Sequence, residues 1–206
     1  MKIDKISAQP DRAGRYAVVF SDESTLRLYK QTVQDFGLYT GMEMTMPEYE
    51  ALTKAANQMS AKMRAVRIVS AANVSKRDLE QRLVMKGEDP GCAKEAVRWM
   101  SELELLDDSK TAQQIVSSCI AKGYGEARAK QALYEKRIPK EYWQEALADY
   151  PDQTESIEKY LHDHLPEQAD AKTVKKVIDA LLRRGHSYSR IRSVMAQVDV
   201  LEEEYG

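Results

Sequence analysis

Lys122-Gly123-Tyr124-Gly125 decides how the chain reads, because helical segments flank it on both sides. Upstream, Ala112, Ile115, Val116, Cys119 and Ile120 recur at one-turn spacing, the apolar stripe of an α-helix. Gly123 is a helix stop, since glycine enters the left-handed conformation without a Cβ penalty. Gly125 permits a tight turn into a second helix carrying Ala129, Ala132 and Leu133. Pro139 opens a third, at a position where its missing N–H costs nothing. That helix carries Trp143, Ala146, Leu147 and Tyr150, with Trp143 expected in the core. None of these short helices buries its apolar face alone.

The same unit recurs. Leu83-Val84-Met85-Lys86-Gly87, Leu133-Tyr134-Glu135-Lys136-Arg137 and Leu181-Leu182-Arg183-Arg184-Gly185 align as Leu-x-x-basic-Gly, with Arg137 the exception. The leucines are 50 and 48 residues apart, and matched apolar positions follow at Ala93, Trp143 and Ile191, then at Val97, Leu147 and Met195. Such periods mark helical arrays. The spacing predicts three-helix repeats over 63–107, 108–152 and 153–198, in an elongated, curved, mainly α array with an acidic tail at 199–206.

Residues 1–62 read as an extension. Gly14–Phe20 and Thr25–Tyr29 are β-rich runs around the turn composition Ser21-Asp22-Glu23-Ser24, hence a hairpin, and Ile3 to Ala8 adds a third strand. Asp35–Leu38 is a short connector. Thr45-Met46-Pro47-Glu48 has capping-box spacing and starts a helix that runs to about residue 60. A further helix, with Val66 and Val69, ends at Asn73-Val74. Ser75-x-x-Asp78 caps the next, Asp89-Pro90 starts another with Ala93, Ala96, Val97, Met100 and Leu103 inward, and Asp107-Asp108 caps the helix before Lys122.

The 206 residues are 43% hydrophobic and 31% charged, with nine glycines and six prolines, the composition of a folded helical protein. No run approaches the roughly 20 apolar residues of a membrane span, and Met1-Lys2-Ile3-Asp4 lacks the apolar core of a secretion signal. Cys92 and Cys119 read as buried free thiols of a reducing compartment.

A net charge of −2 excludes a uniformly basic nucleic-acid binder, but charge follows the repeat. Residues 64–87, 122–140 and 172–192 carry +4, +4 and +6, while 88–112 and 141–171 carry −4 and −8. Solvated faces would account for any one segment; three in phase suggest a binding surface. The candidate contact residues are Lys76, Arg77, Arg82 and Lys86 in the first segment. In the second they are Lys122, Tyr124, Arg128, Lys130, Lys136 and Arg137. In the third they are Lys176, Arg183, Arg184, Tyr188, Arg190 and Arg192. At least one of Arg183 and Arg184 should face outward, so reversing both to Glu should cost modest stability.

No phosphate-binding Gly-x-x-x-x-Gly-Lys motif and no nucleophile constellation occurs. His162 and His164, two apart, point to different sides of a helix and make a poor zinc pair. No enzyme, metal or cofactor is expected.

The Lys122–Gly125 turn, the Leu106-Asp107-Asp108 step before it, Ser75-x-x-Asp78-Leu79, Leu83-x-x-Lys86-Gly87 and Arg183-Arg184-Gly185-His186-Ser187-Tyr188 together resemble the RecX regulatory proteins. The likeness covers residues 64 to about 198, and the N-terminal hairpin is similar to an extension of some members. His186 stands where an aromatic is usual, Thr111 where Phe is frequent, and Arg137 in place of Gly. The resemblance implies a cytoplasmic bacterial protein of tandem three-helix repeats, and a monomer is expected. It also implies binding in the groove of the RecA–DNA filament, with auxiliary contact to single- and double-stranded DNA, and suppression of recombinase, ATPase and coprotease activities in DNA repair and the SOS response. The alternative is a free-standing DNA-binding protein, with Tyr188-Ser189-Arg190-x-Arg192 opening a recognition helix.

Overall fold

The computed structural model describes residues 1–166 and 168–197; the expected acidic tail lies outside them. The chain divides into two compact units, Met1–Leu106 and Asp107–Gly206.

The first unit begins with three antiparallel strands in the order β1 (Ile3–Ile6), β2 (Arg15–Phe20), β3 (Thr25–Tyr29). Val18 lies opposite Leu26 and Tyr16 opposite Leu28, so alternate residues share a face. Val18, Phe20 and Leu28 on that face are buried with Ile3, Leu38, Met44 and Leu52. A short helix, α1 (Lys30–Asp35), which the sequence reading did not mark, leads into the expected connector at 35–38. Gly37 ends the helix at a φ of 58°.

The next helix, α2 (Met46–Ala71), runs unbroken for 26 residues. The expected capping box forms: Thr45 N–H donates to Glu48 Oε2 at 2.7 Å and Glu48 N–H to Thr45 Oγ1 at 3.4 Å. The break expected near residue 60 is absent. Gln58-Met59-Ser60-Ala61-Lys62-Met63 contains no Gly or Pro to stop a helix. Leu52 packs under the sheet, and Ala61 and Ala65 pack a second core against α3 (Lys76–Met85) and α4 (Pro90–Glu102). Leu79, Leu83, Ala93, Ala96 and Met100 complete that core. Leu103, expected inward, is exposed, because α4 ends at Glu102 and Glu104 turns the chain at a φ of 56°. Leu106 is buried in its place.

The second unit contains α5 (Asp108–Ala121), α6 (Glu126–Glu135), a 3₁₀ turn at Lys140–Tyr142 running into α7 (Trp143–Leu147), α8 (Thr154–His164), α9 (Ala171–Arg183) and α10 (Tyr188–Gln197). Ala112, Val116, Leu133 and Ile138 form one core. Ile157, Leu161, Val177, Leu181, Ile191, Val194 and Met195 form another. Trp143 is only partly buried, contrary to expectation. Its helix is a single turn between Pro139 and Pro151, too short to wall off the ring, and its indole N–H donates to Ile138 O at 3.0 Å.

The aligned leucines end their helices alike. Gly87, Arg137 and Gly185 all have positive φ, at 86°, 56° and 89°. Their N–H groups donate to Val84 O, Tyr134 O and Leu182 O, each at 2.9 Å. The next N–H groups, of Glu88, Ile138 and His186, reach back to Leu83 O, Leu133 O and Leu181 O at 3.1, 3.0 and 3.2 Å. These are Schellman caps, and Arg137 adopts the glycine conformation despite its side chain. The leucines themselves are fully buried. Mainly helical with one small antiparallel sheet, the chain has no strand after β3 among the described residues.

Candidate interaction site at the Lys122–Gly125 turn

The turn is built by two glycines with different tasks. Gly123 caps α5 at a φ of 63°, its N–H donating to Ile120 O at 2.9 Å and that of Tyr124 to Cys119 O at 3.0 Å. Gly125 has an ordinary φ of −76°, so turn freedom, as read from the sequence, is not its purpose. A Cβ there would lie 2.0 Å from Gly185 O and 2.3 Å from Gly185 C. Gly125 is glycine because the start of α6 meets the end of α9 backbone to backbone, and its N–H donates to Arg184 O at 2.9 Å.

Around this contact the side chains lock. The Arg184 guanidinium carbon lies 5.0 Å from the Tyr124 ring centroid and 4.9 Å from that of Tyr160, and its Nη2 donates to Lys122 O at 2.5 Å. Cation–π contact on two faces fixes it. Arg183, its neighbour, is exposed. The expectation of one outward arginine therefore holds for Arg183. Modest cost for reversing both does not, because Arg184 is held by the fold.

His186 is 3% exposed, with Nε2 3.2 Å from Gly123 O and Nδ1 3.1 Å from Gln153 Oε1. A backbone carbonyl only accepts, so Nε2 carries a proton, and a neutral ring requires the Gln153 amide to turn its NH2 group toward Nδ1. Burial pulls the imidazole below its ordinary value, and Arg184 adds to that, against the bond to Gly123. The Tyr150 hydroxyl donates to Tyr124 O at 2.7 Å, and burial pushes this phenol up to about 12.

The other candidate residues fall into three states. Arg82 pairs with Asp78 at 2.9 Å, Arg128 with Glu135 at 3.2 Å, Lys130 with Glu126 at 2.6 Å and Arg190 with Asp152 at 2.6 Å. Lys76 and Lys136 are half-buried, and Arg137 is exposed at its strained cap. Arg77, Lys86, Lys122, Lys176, Arg183 and Arg192 are exposed and have no ion pair among the described residues. In the second unit, Lys122, Tyr124, Arg128 and Arg184 come together at the glycine contact. Tyr188 stands exposed at the start of α10. Sequence reading missed Tyr160 and Gln153 as part of this cluster; Tyr160 sits on an apolar helical stripe, where an aromatic reads as core.

No group of three or more metal-ligating side chains exists among the described residues. His164 stacks on Tyr160, ring centroids 4.0 Å apart, and both cysteines are free, their thiols pushed up chiefly by burial. No described helix is long and apolar enough to cross a membrane.

Three-helix groups closed by matched caps, with exposed cations at the helix ends, define a helical-repeat protein. The profile "RecX, second three-helix domain" matches residues 107–147. The regulatory protein RecX of Clostridioides difficile is 25% identical over 199 residues, covering 94% of this chain and 93% of the relative. That of Vibrio parahaemolyticus is 28% identical over 149 residues, covering 71% of this chain and 96% of the relative. A crystal structure of regulatory protein RecX superposes with a TM-score of 0.64 at 22% identity, over 95% of this chain and 98% of the other. Over most of its length the chain is thus similar to regulatory proteins named RecX.

Proposed function

We propose that this protein binds the RecA–DNA filament in its groove and restrains filament growth, and with it recombinase, ATPase and coprotease activities in DNA repair and the SOS response. It acts in the cytoplasm as a monomer, without a cofactor and without chemistry of its own. Its working parts are three-helix repeats, the first sharing α2 with the N-terminal sheet and running to residue 107, the others over 108–152 and 153–198.

Beyond the similarity to RecX proteins, one observation carries this reading. Exposed cations, Arg183 and Lys122 in the second unit and Arg77 and Lys86 in the first, sit at the ends of helices whose buried faces are already complete. They are available to an acidic groove and, secondarily, to DNA phosphates. The test is the single-stranded-DNA-dependent ATPase of RecA with the protein added in excess. A falling rate is expected; an unchanged rate, with strand exchange also unchanged, overturns the proposal.

A free-standing DNA-binding role draws support from Tyr188 and Arg192, exposed on α10. The ion pair of Arg190 with Asp152 weighs against it. Tight, sequence-specific duplex binding without RecA would favour this second reading.

A further inference from the structure

The residue after the buried leucine of each repeat is apolar and exposed. Val84, Tyr134 and Leu182 are 40%, 68% and 40% accessible, while Leu83, Leu133 and Leu181 beside them are fully buried. Each lies in the last turn of its group's second helix, just ahead of the cap at Gly87, Arg137 or Gly185. One exposed apolar side chain needs no explanation. The same register kept three times does, because the cores close without these side chains. An exposed cation lies within three residues of each, at differing offsets: Lys86 two after Val84, Arg137 three after Tyr134 and Arg183 one after Leu182.

We propose that Val84, Tyr134 and Leu182 are the apolar anchors of three equivalent knuckles, each seating in an apolar, acid-rimmed pocket on a protein subunit of a filament. This rests on the filament reading above and deepens it, assigning attachment to protein rather than to nucleic acid. A phosphate backbone would take the cations but offers nothing to Val84 or Leu182, whose aliphatic side chains are not stacking platforms for bases. A pocket with carboxylates at its rim satisfies both halves of the knuckle. Equivalent knuckles require equivalent pockets, which a polymer of identical subunits supplies, and joint engagement multiplies weak contacts.

The experiment replaces Val84, Tyr134 and Leu182 by Ser, singly and together, in the full chain. Because the sites are exposed, the thermal transition should stay close to that of wild type. Binding is measured to RecA filaments on single-stranded DNA and, separately, to the same DNA without RecA. Each single variant should lower filament affinity about three- to tenfold and the triple variant by about 100-fold or more. The salt dependence of binding should be unchanged, whereas Arg183→Glu alters it. A triple variant that binds filaments like wild type overturns the knuckles and leaves the filament reading standing. A wild-type chain that does not bind filaments overturns both. Equal loss on bare DNA assigns the face to nucleic acid. A wild-type dimer that the triple variant dissolves assigns it to self-association. Either of these outcomes also overturns the proposal.

Discussion

Gly125 and Gly185 touch through their backbones. A β-carbon on Gly125 would sit 2.0 Å from Gly185 O, and one on Gly185 would sit 2.3 Å from Arg128 N. Side chains 60 positions apart in sequence are excluded here so that α6 and the end of α9 can share a hydrogen bond, Gly125 N–H to Arg184 O. Gly125→Ala should therefore cost about 2–3 kcal/mol, an overpacking penalty, although its φ is ordinary. Gly87, with open space around its absent Cβ, is the control: Gly87→Ala should cost about 1 kcal/mol, for backbone conformation alone. Urea midpoints of the two variants compare them directly.

Arg183 and Arg184 should part company. Arg184→Glu removes two ring contacts and the bond to Lys122 O, and should destabilise by about 2–4 kcal/mol, as breaking a packed network does. Arg183→Glu should change stability by less than about 0.5 kcal/mol and lower filament binding most at low salt. Circular dichroism melts beside binding in a salt series separate the two. Equal melts for the two variants would remove Arg184 from the lock.

His186 should make stability rise with pH in a defined window. Its folded value lies below the ordinary 6.5, so the unfolded chain takes up its proton first as pH falls. The contribution is complete above 6.5 and is lost as pH drops through the lower, folded value. Melting temperature followed from pH 8 to 5 should fall for wild type, and His186→Phe should flatten that part of the slope whatever its baseline. An equal slope in the variant would show that other groups titrate there.

Glu104 holds a left-handed conformation, at a φ of 56°, with its side chain exposed. Glu104→Gly should stabilise the protein by about 0.5–1 kcal/mol, because the Cβ penalty there exceeds the extra backbone entropy glycine brings. Denaturant titration tests the sign; a loss of stability would mean the carboxylate is contributing more than the backbone costs.

What the sequence made legible was local. Thr45, Ser75, Asp89 and Asp107 cap their helices as their spacing implies, because each cap involves residues within one turn. Leu83, Leu133 and Leu181 are buried, as the repeat implies. What escaped was contact at long range. The purpose of Gly125 lies at Gly185, the partners of Arg184 at Tyr124 and Tyr160, and no pattern near any of them names the other. Trp143 misled because helical spacing says which face turns inward but not that the helix stops after one turn. Ion pairs such as Arg190–Asp152 and Lys130–Glu126 reduced the basic segments to fewer unpaired cations than composition suggests.

The single helix α2 holds Leu52 under the sheet and Ala61 and Ala65 in the core of α3 and α4. The N-terminal extension is thus no detachable module. A truncation at residue 62 would leave a severed helix, its stump bare at Ala65, and a protease would find no hinge between sheet and bundle. Grafting or deleting this sheet means dealing with its helix as well, so in this chain the two parts unfold and are engineered as one piece.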